Sequence, residues 1–444
     1  MSRYKYIMRD YHAIENAEIE LDGISVLSGV NGCGKSTLSR WLYYIVNGAV
    51  NLERYLVVDD YGGKLWKKME DWRVACMELG RGRVSDNPMD SAANRIQQVK
   101  GKFMQVVSGE LDGMIEEMQE LYLDALAFTE ECLSGLDDEM PKERVERVLK
   151  FLDIHIGSDL TLSIALFSQK EREQLQKETE ALHQKLGSRP RKLLFEFVQQ
   201  RFPMDEGVPE ELQLEEDSVG IMEQDTVGRL LNLKDAIYID TPMAATEDSS
   251  NRIWRDLQRR VMDKKHALSP EASSMLEGIG HLIEGEVLME KNPIGRPDLR
   301  YVSKDGQVNI ELKQVATGFK TFAYMQRLLE NGHLDKNTLL LIDEPEAHLH
   351  PQWIVEFARL LVLLNKKLGL KVLLASHNPD MVAALHDIAE KEGVLDTTWF
   401  YVAEPSQTSP HQFVYKNLGH EIAEIFKSFN IALDRIKEYG SPGI

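Results

Sequence analysis

The chain has 444 residues, 43% hydrophobic and 28% charged, enough for one large core or two to three smaller ones. A net charge of −20 and a pI near 5.1 argue against a surface coated for non-specific nucleic-acid binding. No run approaches the ~20 apolar residues of a membrane helix, the first residues lack an apolar signal core, and three widely spaced cysteines offer neither a disulfide framework nor metal-ligand spacing, so a cytoplasmic protein with no membrane contact is expected.

Residues 4–27 alternate apolar and polar positions in short runs, with a turn at Asp22-Gly23, and predict a small antiparallel sheet. The apolar-rich run Ile24-Ser25-Val26-Leu27 then leads into Gly-Val-Asn-Gly-Cys-Gly-Lys-Ser-Thr over 29–37, a G-x-x-x-x-G-K-[ST] phosphate loop with a strand before it and a helix after. Its glycines lack a Cβ, so the backbone can curl and aim N–H groups at phosphate. Asn31, Gly32, Cys33, Gly34, Lys35, Ser36 and Thr37 form the candidate nucleotide-binding set. Lys35 is placed for the β- and γ-phosphates, and Ser36 offers a hydroxyl to Mg²⁺. The helix over 38–46 turns its positive end to the same anion. Cys33 reads as a small residue that fits the loop.

Residues 62–200 are helix-rich: 97–133 carries apolar residues at helical spacing, and 169–186 is strongly polar. Neither keeps the long apolar heptad seam of a coiled-coil arm, so a compact helical insertion is expected. The acidic stretch 203–225, with Pro and Gly, reads as a surface loop, and 236–239 as a short buried strand. Two stretches, 189–192 and 252–265, are locally basic and leave DNA contact possible. Residues 285–312 look like strands around turns, one at Asp305-Gly306. From 338 onward strands and helices alternate, as in a parallel sheet with crossover helices.

Two of those strands end in chemistry. Thr-Leu-Leu-Leu-Ile-Asp-Glu-Pro over 338–345 delivers two carboxylates at a strand's C-terminal edge, where open α/β sheets place their ligands. Asp343 fits the Mg²⁺-linked carboxylate, and Glu344 the base or orienter of an attacking water. Lys-Val-Leu-Leu-Ala-Ser-His-Asn-Pro over 371–379 is a further apolar strand, and its His377 can reach a γ-phosphate from the strand end.

These three pieces, 29–37, Asp-Glu-Pro-Glu-Ala-His-Leu-His-Pro over 343–351 and Ala-Ser-His-Asn-Pro over 375–379, resemble the ABC-type ATPases of the SMC, RecF and OLD (overcoming lysogenisation defect) group, most of all its OLD-like members. The resemblance covers about 1–50 and 285–435. It implies an α/β P-loop ATPase head with a mixed or parallel sheet, an N-terminal antiparallel sheet and a helical insertion. The head's first part would be 1–61, the insertion 62–230, and the head's second part 231–444. It also implies a signature motif before Asp343, for which Thr317-Gly318 is the candidate. In relatives that pair caps the γ-phosphate of nucleotide held by a partner subunit. Phe319 and Lys320 depart from the pattern. His348 and His350 would lie in the loop at a dimer interface, and Tyr4, Tyr6 or Tyr11 would pack either beside adenine or in the core.

The expected activity is Mg²⁺-dependent ATP hydrolysis, with Lys35, Glu344 and His377 catalytic and Ser36 and Asp343 on the metal. If the signature acts in trans, two chains sandwich two nucleotides as a homodimer. The resemblance implies an ATP-driven switch for a nuclease or toxin effector in anti-phage defence. With 67 residues after His377, that effector is expected on a separate chain. The alternative is a RecF- or SMC-like DNA-binding ATPase of repair or recombination.

Overall fold

The computed structural model describes residues 2–80, 88–136, 140–155, 159–202, 207–223, 225–240, 251–265, 268–291, 297–347 and 349–427. Contacts divide the chain into two compact units, Met1–Val50 with Arg191–Ile444, and Asn51–Pro190.

The strands in chain order are β1 (Tyr4–Tyr11), β2 (Ile14–Glu20), β3 (Ile24–Ser28), β4 (Glu211–Glu216), β5 (Val219–Gly220), β6 (Asp235–Ile239), β7 (Gly285–Lys291), β8 (Pro297–Ser303), β9 (Asn309–Glu311), β10 (Thr338–Asp343), β11 (Lys371–Ala375), β12 (Thr398–Pro405) and β13 (Phe413–Asn417). All belong to the first unit. Its helices include α1 (Lys35–Arg54), and the second unit holds α2 (Gly63–Gly80), α3 (Pro88–Ser108), α4 (Met114–Ser134), α5 (Lys142–Phe151) and α6 (Leu160–Ser188). The first unit resumes with α7 (Arg191–Arg201), α8 (Arg252–Met262), α9 (Pro270–Leu282), α10 (Thr317–Glu330), α11 (Pro351–Leu368) and α12 (Pro379–Glu392).

Ten strands form one mixed sheet in the order β5-β4-β1-β2-β13-β12-β3-β11-β10-β6. The antiparallel N-terminal strands make one wing, and β12, β3, β11, β10 and β6 run parallel to their neighbours in the other. Every residue of β3, β10 and β11 is buried, as parallel strands covered on both faces must be. Their alternate residues Ile24, Val26, Leu340, Ile342, Val372 and Leu374 share one core with Phe322 of α10, Phe357 and Leu361 of α11, and Met381 of α12. The crossover helices start and stop where the chain dictates. Asn378 caps α12 by accepting from the N–H of Asp380 at 2.8 Å, Pro379 follows it, and Gly393 ends the helix at φ +72°.

The stretch 203–225 is not a loop throughout: it contains β4, paired antiparallel with β1 at Tyr6↔Leu214. Leu212 and Leu214 alternate onto the buried face, a two-residue period hidden by the acidic residues between them. Glu216 ends that strand buried, accepting from the Tyr4 hydroxyl at 2.6 Å and from the N–H groups of Leu231 and Asn232. The expected strands in 285–312 form a separate three-stranded sheet, β7-β8-β9, with Gly306 at φ +69° in its turn.

The second unit is helical, as its spacing predicts. A π-helical turn, Tyr55–Gly62, precedes α2, and Trp72 packs on Tyr122 with ring centroids 4.7 Å apart. No described helix is long and apolar enough to cross a membrane. His348 lies outside the described residues.

At the far edge of the parallel wing, β6 is tied to α8. The buried Arg260 donates to Asp256 at 2.8 Å and to Asp235, the first residue of β6. Burial opposes its charge, but Asp256 and Asp235 outweigh burial and hold its pKa above the ordinary arginine range. Arg260→Met removes their shared buried cation, while Asp235 keeps Lys265 and Asp256 keeps Arg259 and Tyr43 as partners. Urea unfolding of this variant is expected to show a loss of about 1.5–3 kcal/mol, the scale of hydrogen bonds to charged groups.

Candidate functional site

The parallel wing sets its strand ends in register: Leu27 of β3 pairs with Ala375 of β11, which pairs with Asp343 of β10. Sequence order hides this arrangement, because β11 lies between the strand of the phosphate loop and the strand of the two carboxylates. The segments that follow β3, β10 and β11 therefore leave the sheet side by side.

After β3 the chain turns through the loop and enters α1 at Lys35. Gly34 has φ +95°, and a Cβ there would sit 2.8 Å from Ile14 Cγ1, so both backbone and space demand glycine. Gly32 has φ +82° with nothing within 4 Å of where a Cβ would be; there the backbone alone demands it. Asn31, Gly32 and Ser36 are exposed, Gly34 and Thr37 half-buried, and Cys33 buried. Lys35 Nζ folds back over the loop and donates to the carbonyls of Gly29 at 2.9 Å and Val30 at 3.1 Å. The Cys33 carbonyl accepts from the Tyr415 hydroxyl of β13 at 3.1 Å, which pins the loop to the sheet.

Asp343 is 5% exposed, and its Oδ2 accepts from the Tyr238 hydroxyl of β6 at 2.6 Å. Its Oδ1 is buried without a partner. Burial pushes the Asp343 carboxyl above the ordinary range, while the hydroxyls of Tyr238, Ser39 and Ser36 work against that. Arg40 stands beside Tyr238. Burial opposes its charge, yet Tyr238, Tyr44 and Asp240 raise its pKa overall.

Glu344 leaves the strand at φ +46°, a left-handed conformation that costs about 1–3 kcal/mol for a residue with a side chain. Its N–H still donates to the Ala375 carbonyl at 2.8 Å, and its carboxylate is half-exposed. His377 Nδ1 lies 3.6 Å from Glu344 Oε1 and 3.5 Å from Glu346 Oε1. Glu346 is buried and accepts at Oε1 from Ser376 Oγ at 2.8 Å and the His377 N–H at 3.0 Å.

Lys35, Ser36, Asp343, Glu344 and His377 thus gather at one sheet edge. Thr317 and Gly318 are the first two residues of α10, where the N-cap residue Ala316 supplies no side-chain bond. Lys320 is turned inward, with Nζ donating to the Lys313 carbonyl at 2.9 Å, so its ammonium serves packing. Phe319 packs edge-on against Tyr301 at 4.7 Å. Tyr4, Tyr6 and Tyr11 are all buried. His350 caps α11.

Sequence reasoning missed Tyr238, Arg40 and Glu346. Tyr238 did leave a signal: a hydroxyl inside the apolar run Ala236-Ile-Tyr-Ile239 has to find a partner when buried. Its partner, Asp343, is about a hundred residues away along the chain and follows only from the β6–β10 pairing.

A family model described as "AAA domain, putative AbiEii toxin, Type IV TA system" matches residues 208–383, less than half of the chain. The match spans Asp343, Glu344 and His377 but not the phosphate loop. Together with the loop between β3 and α1 and the strand order, it defines the architecture. The fold is that of an α/β P-loop ATPase head. Among solved structures, the chain is similar to an Smc head bound to the C-winged helix domain of ScpA, at 10% identity and TM-score 0.37, covering 95% of this chain and 98% of that one. It is also similar to the Pyrococcus furiosus Smc head with an extended coiled coil bound to the C-terminal domain of ScpA, at 11% identity and TM-score 0.34, covering 99% and 100%. The SMC head domain from Thermotoga maritima matches at 12% identity and TM-score 0.27, covering 47% and 65%. Scores of this size add no argument to the topology. No curated protein matches the chain.

The Tyr238–Asp343 bond is open to direct measurement. Tyr238→Phe strips a donor from a buried carboxylate, and chemical unfolding at neutral pH should show a loss of about 1–3 kcal/mol. The hydroxyl favours the ionised form of Asp343, so the deficit is expected to shrink as pH falls through the raised pKa of that carboxyl.

Proposed function

We propose that this chain is a Mg²⁺-dependent ATP-hydrolysing switch that closes into a homodimer around ATP and thereby controls a separate effector protein, a nuclease or toxin, in anti-phage defence. The observation that carries the ATPase part is the register Leu27–Ala375–Asp343, which sets the ends of three strands bearing phosphate-loop, carboxylate and histidine chemistry in one row. The family model's description names a putative toxin of a Type IV TA system for the matched segment itself, which supports a toxin-linked defence setting.

The residues present suit Mg²⁺ with a nucleotide. Asp343 Oδ1 is a buried oxygen with no partner, Ser36 is exposed beside it, and the open space at Gly32 leaves a cradle of backbone for phosphate. Such an ion would be bound by one carboxylate, one hydroxyl and substrate phosphate. When bound, Mg²⁺ neutralises charge that develops on the phosphates.

The chain's own groups do the rest. Lys35 exchanges its two loop carbonyls for the β- and γ-phosphates, and the loop from Asn31 to Thr37 surrounds them with N–H groups at the positive end of α1. Ser36 and Asp343 would hold the metal. Glu344, with its half-exposed carboxylate, orients and deprotonates the attacking water. His377 contacts the γ-phosphate. Thr317 and Gly318, at the start of α10, cap the nucleotide of the partner subunit, so closure needs ATP and hydrolysis undoes it.

A second reading, a RecF- or SMC-like DNA-binding ATPase of repair or recombination, is favoured by the exposed Arg252, Arg255 and Arg259 on α8. Those basic side chains stand out on an acidic protein.

Light scattering on Glu344→Gln tests the switch. The mass is expected to double with ATP and Mg²⁺ and not with either alone; a mass that ignores nucleotide overturns the sandwich. Gel shift of the trapped form with duplex DNA, lost in Arg252→Glu/Arg255→Glu, would move the assignment to the second reading. Lys35→Ala should lower kcat/KM for ATP by at least about 100-fold, the scale of losing one charge-stabilising group.

A further inference from the structure

Glu346 is a carboxylate that the ATPase reading does not use, and it is unusually committed. Its side chain is 4% exposed. Three features of the strand end after β11 converge on its Oε1: the Ser376 hydroxyl at 2.8 Å, the His377 N–H at 3.0 Å and the His377 ring nitrogen Nδ1 at 3.5 Å. Ser376 Oγ in turn accepts from the Asn378 N–H at 3.1 Å, and Asn378 caps α12. The whole turn 376–378 therefore hangs on one buried carboxylate. Its second oxygen, Oε2, is buried with no partner. Burying Oε2 without a donor is costly, and the His377 ring nitrogen beside the carboxylate stands at its other oxygen, Oε1.

We infer that Glu346 is a positioning residue for His377, setting both the height of the turn and the orientation of the ring. The ring nitrogen Nδ1 lies about midway between two carboxylates, 3.5 Å from Glu346 and 3.6 Å from Glu344. A small rotation moves its N–H from one to the other. With Nδ1–H committed to a carboxylate, any second ring proton sits on Nε2, the edge left for a γ-phosphate oxygen. Glu346 is buried, with Oε1 bonded to Ser376 and the His377 N–H, and is less free to follow substrate than half-exposed Glu344. Glu346 therefore keeps the ring in place while Glu344 handles water. This inference rests on the ATPase reading for its consequence, but not for its geometry.

The test uses the full chain and two readouts. Glu346→Gln keeps an oxygen for Ser376 Oγ and the His377 N–H and removes the charge beside Nδ1, so it is expected to fold; Glu346→Asp serves if it does not. In nucleotide-free protein with ¹⁵N-labelled histidine, the His377 ring signals, assigned by their absence in His377→Gln, should show a proton on Nδ1 and shift in Glu346→Gln. In turnover, Glu346→Gln should lower kcat by about tenfold or more, the low end for a misplaced catalytic group, with KM for ATP little changed. In a His377→Gln background the same substitution should change kcat by less than about twofold, because both act as one unit. Unshifted ring signals, or equal losses of kcat in both backgrounds, overturn the inference. If the wild-type chain hydrolyses no ATP, the ATPase reading falls, and the ring signals still decide the Glu346–His377 contact.

Discussion

The site depends on the register of three parallel strands. Parallel neighbours need crossover connections, and helices fill that role here, so all the loops that leave carboxyl ends emerge on one edge. Because Leu27, Ala375 and Asp343 are partners across the ladder, the phosphate loop, the Asp343-Glu344 pair and the Ser376-His377 turn start from the same level. A slip of one residue in β11 would exchange its two faces and carry Ser376 and His377 away from Glu346. Full burial of β3, β10 and β11 guards against that slip, since every residue on both faces is already packed.

That edge concentrates polar groups in a place where burial makes them expensive. Asp343 sits at 5% exposure with one oxygen bonded to Tyr238 and the other bonded to nothing. Glu346 repeats the pattern three residues on, with Oε1 bonded to Ser376 and the His377 N–H and Oε2 orphaned. Glu344 adds backbone strain. Such unsatisfied or strained groups are tolerated where the surrounding packing over-determines them, and here α10, α11 and α12 supply that packing. On the other side of the edge the buried Lys35 ammonium rests on two loop carbonyls, those of Gly29 and Val30.

The rest of the first unit steadies the row from its flanks. On one side, β6 brings Tyr238 to Asp343 and is itself anchored by the Arg260–Asp235 pair. On the other, Tyr415 of β13 holds the phosphate loop through the Cys33 carbonyl. Tyr4 extends this logic to the far wing, where its hydroxyl joins β1 to the buried Glu216 that closes β4. Three tyrosines thus stitch the sheet at positions where an apolar ring can be buried and its hydroxyl still find an acceptor.

By itself the sequence determined the parts whose meaning is local. The loop over 29–37 is a run of nine residues, and its place between β3 and α1 and its glycines at positive φ are legible in that spacing. The apolar strands ending in Asp343-Glu344 and Ser376-His377 are equally self-contained, and the helical period of the second unit is visible without a fold. Tertiary structure decided everything that depends on which strand lies beside which. It inserted β11 between β3 and β10, paired Tyr238 with Asp343, hung the His377 turn on Glu346, and turned Lys320 inward to its own chain. It also found a strand in the acidic stretch after 203, where charged residues mask the alternation of Leu212 and Leu214. The physical reason is the same in each case. A motif is specified by covalent spacing, whereas a partner across a sheet is chosen by register, and register is set by the packing of all the strands together.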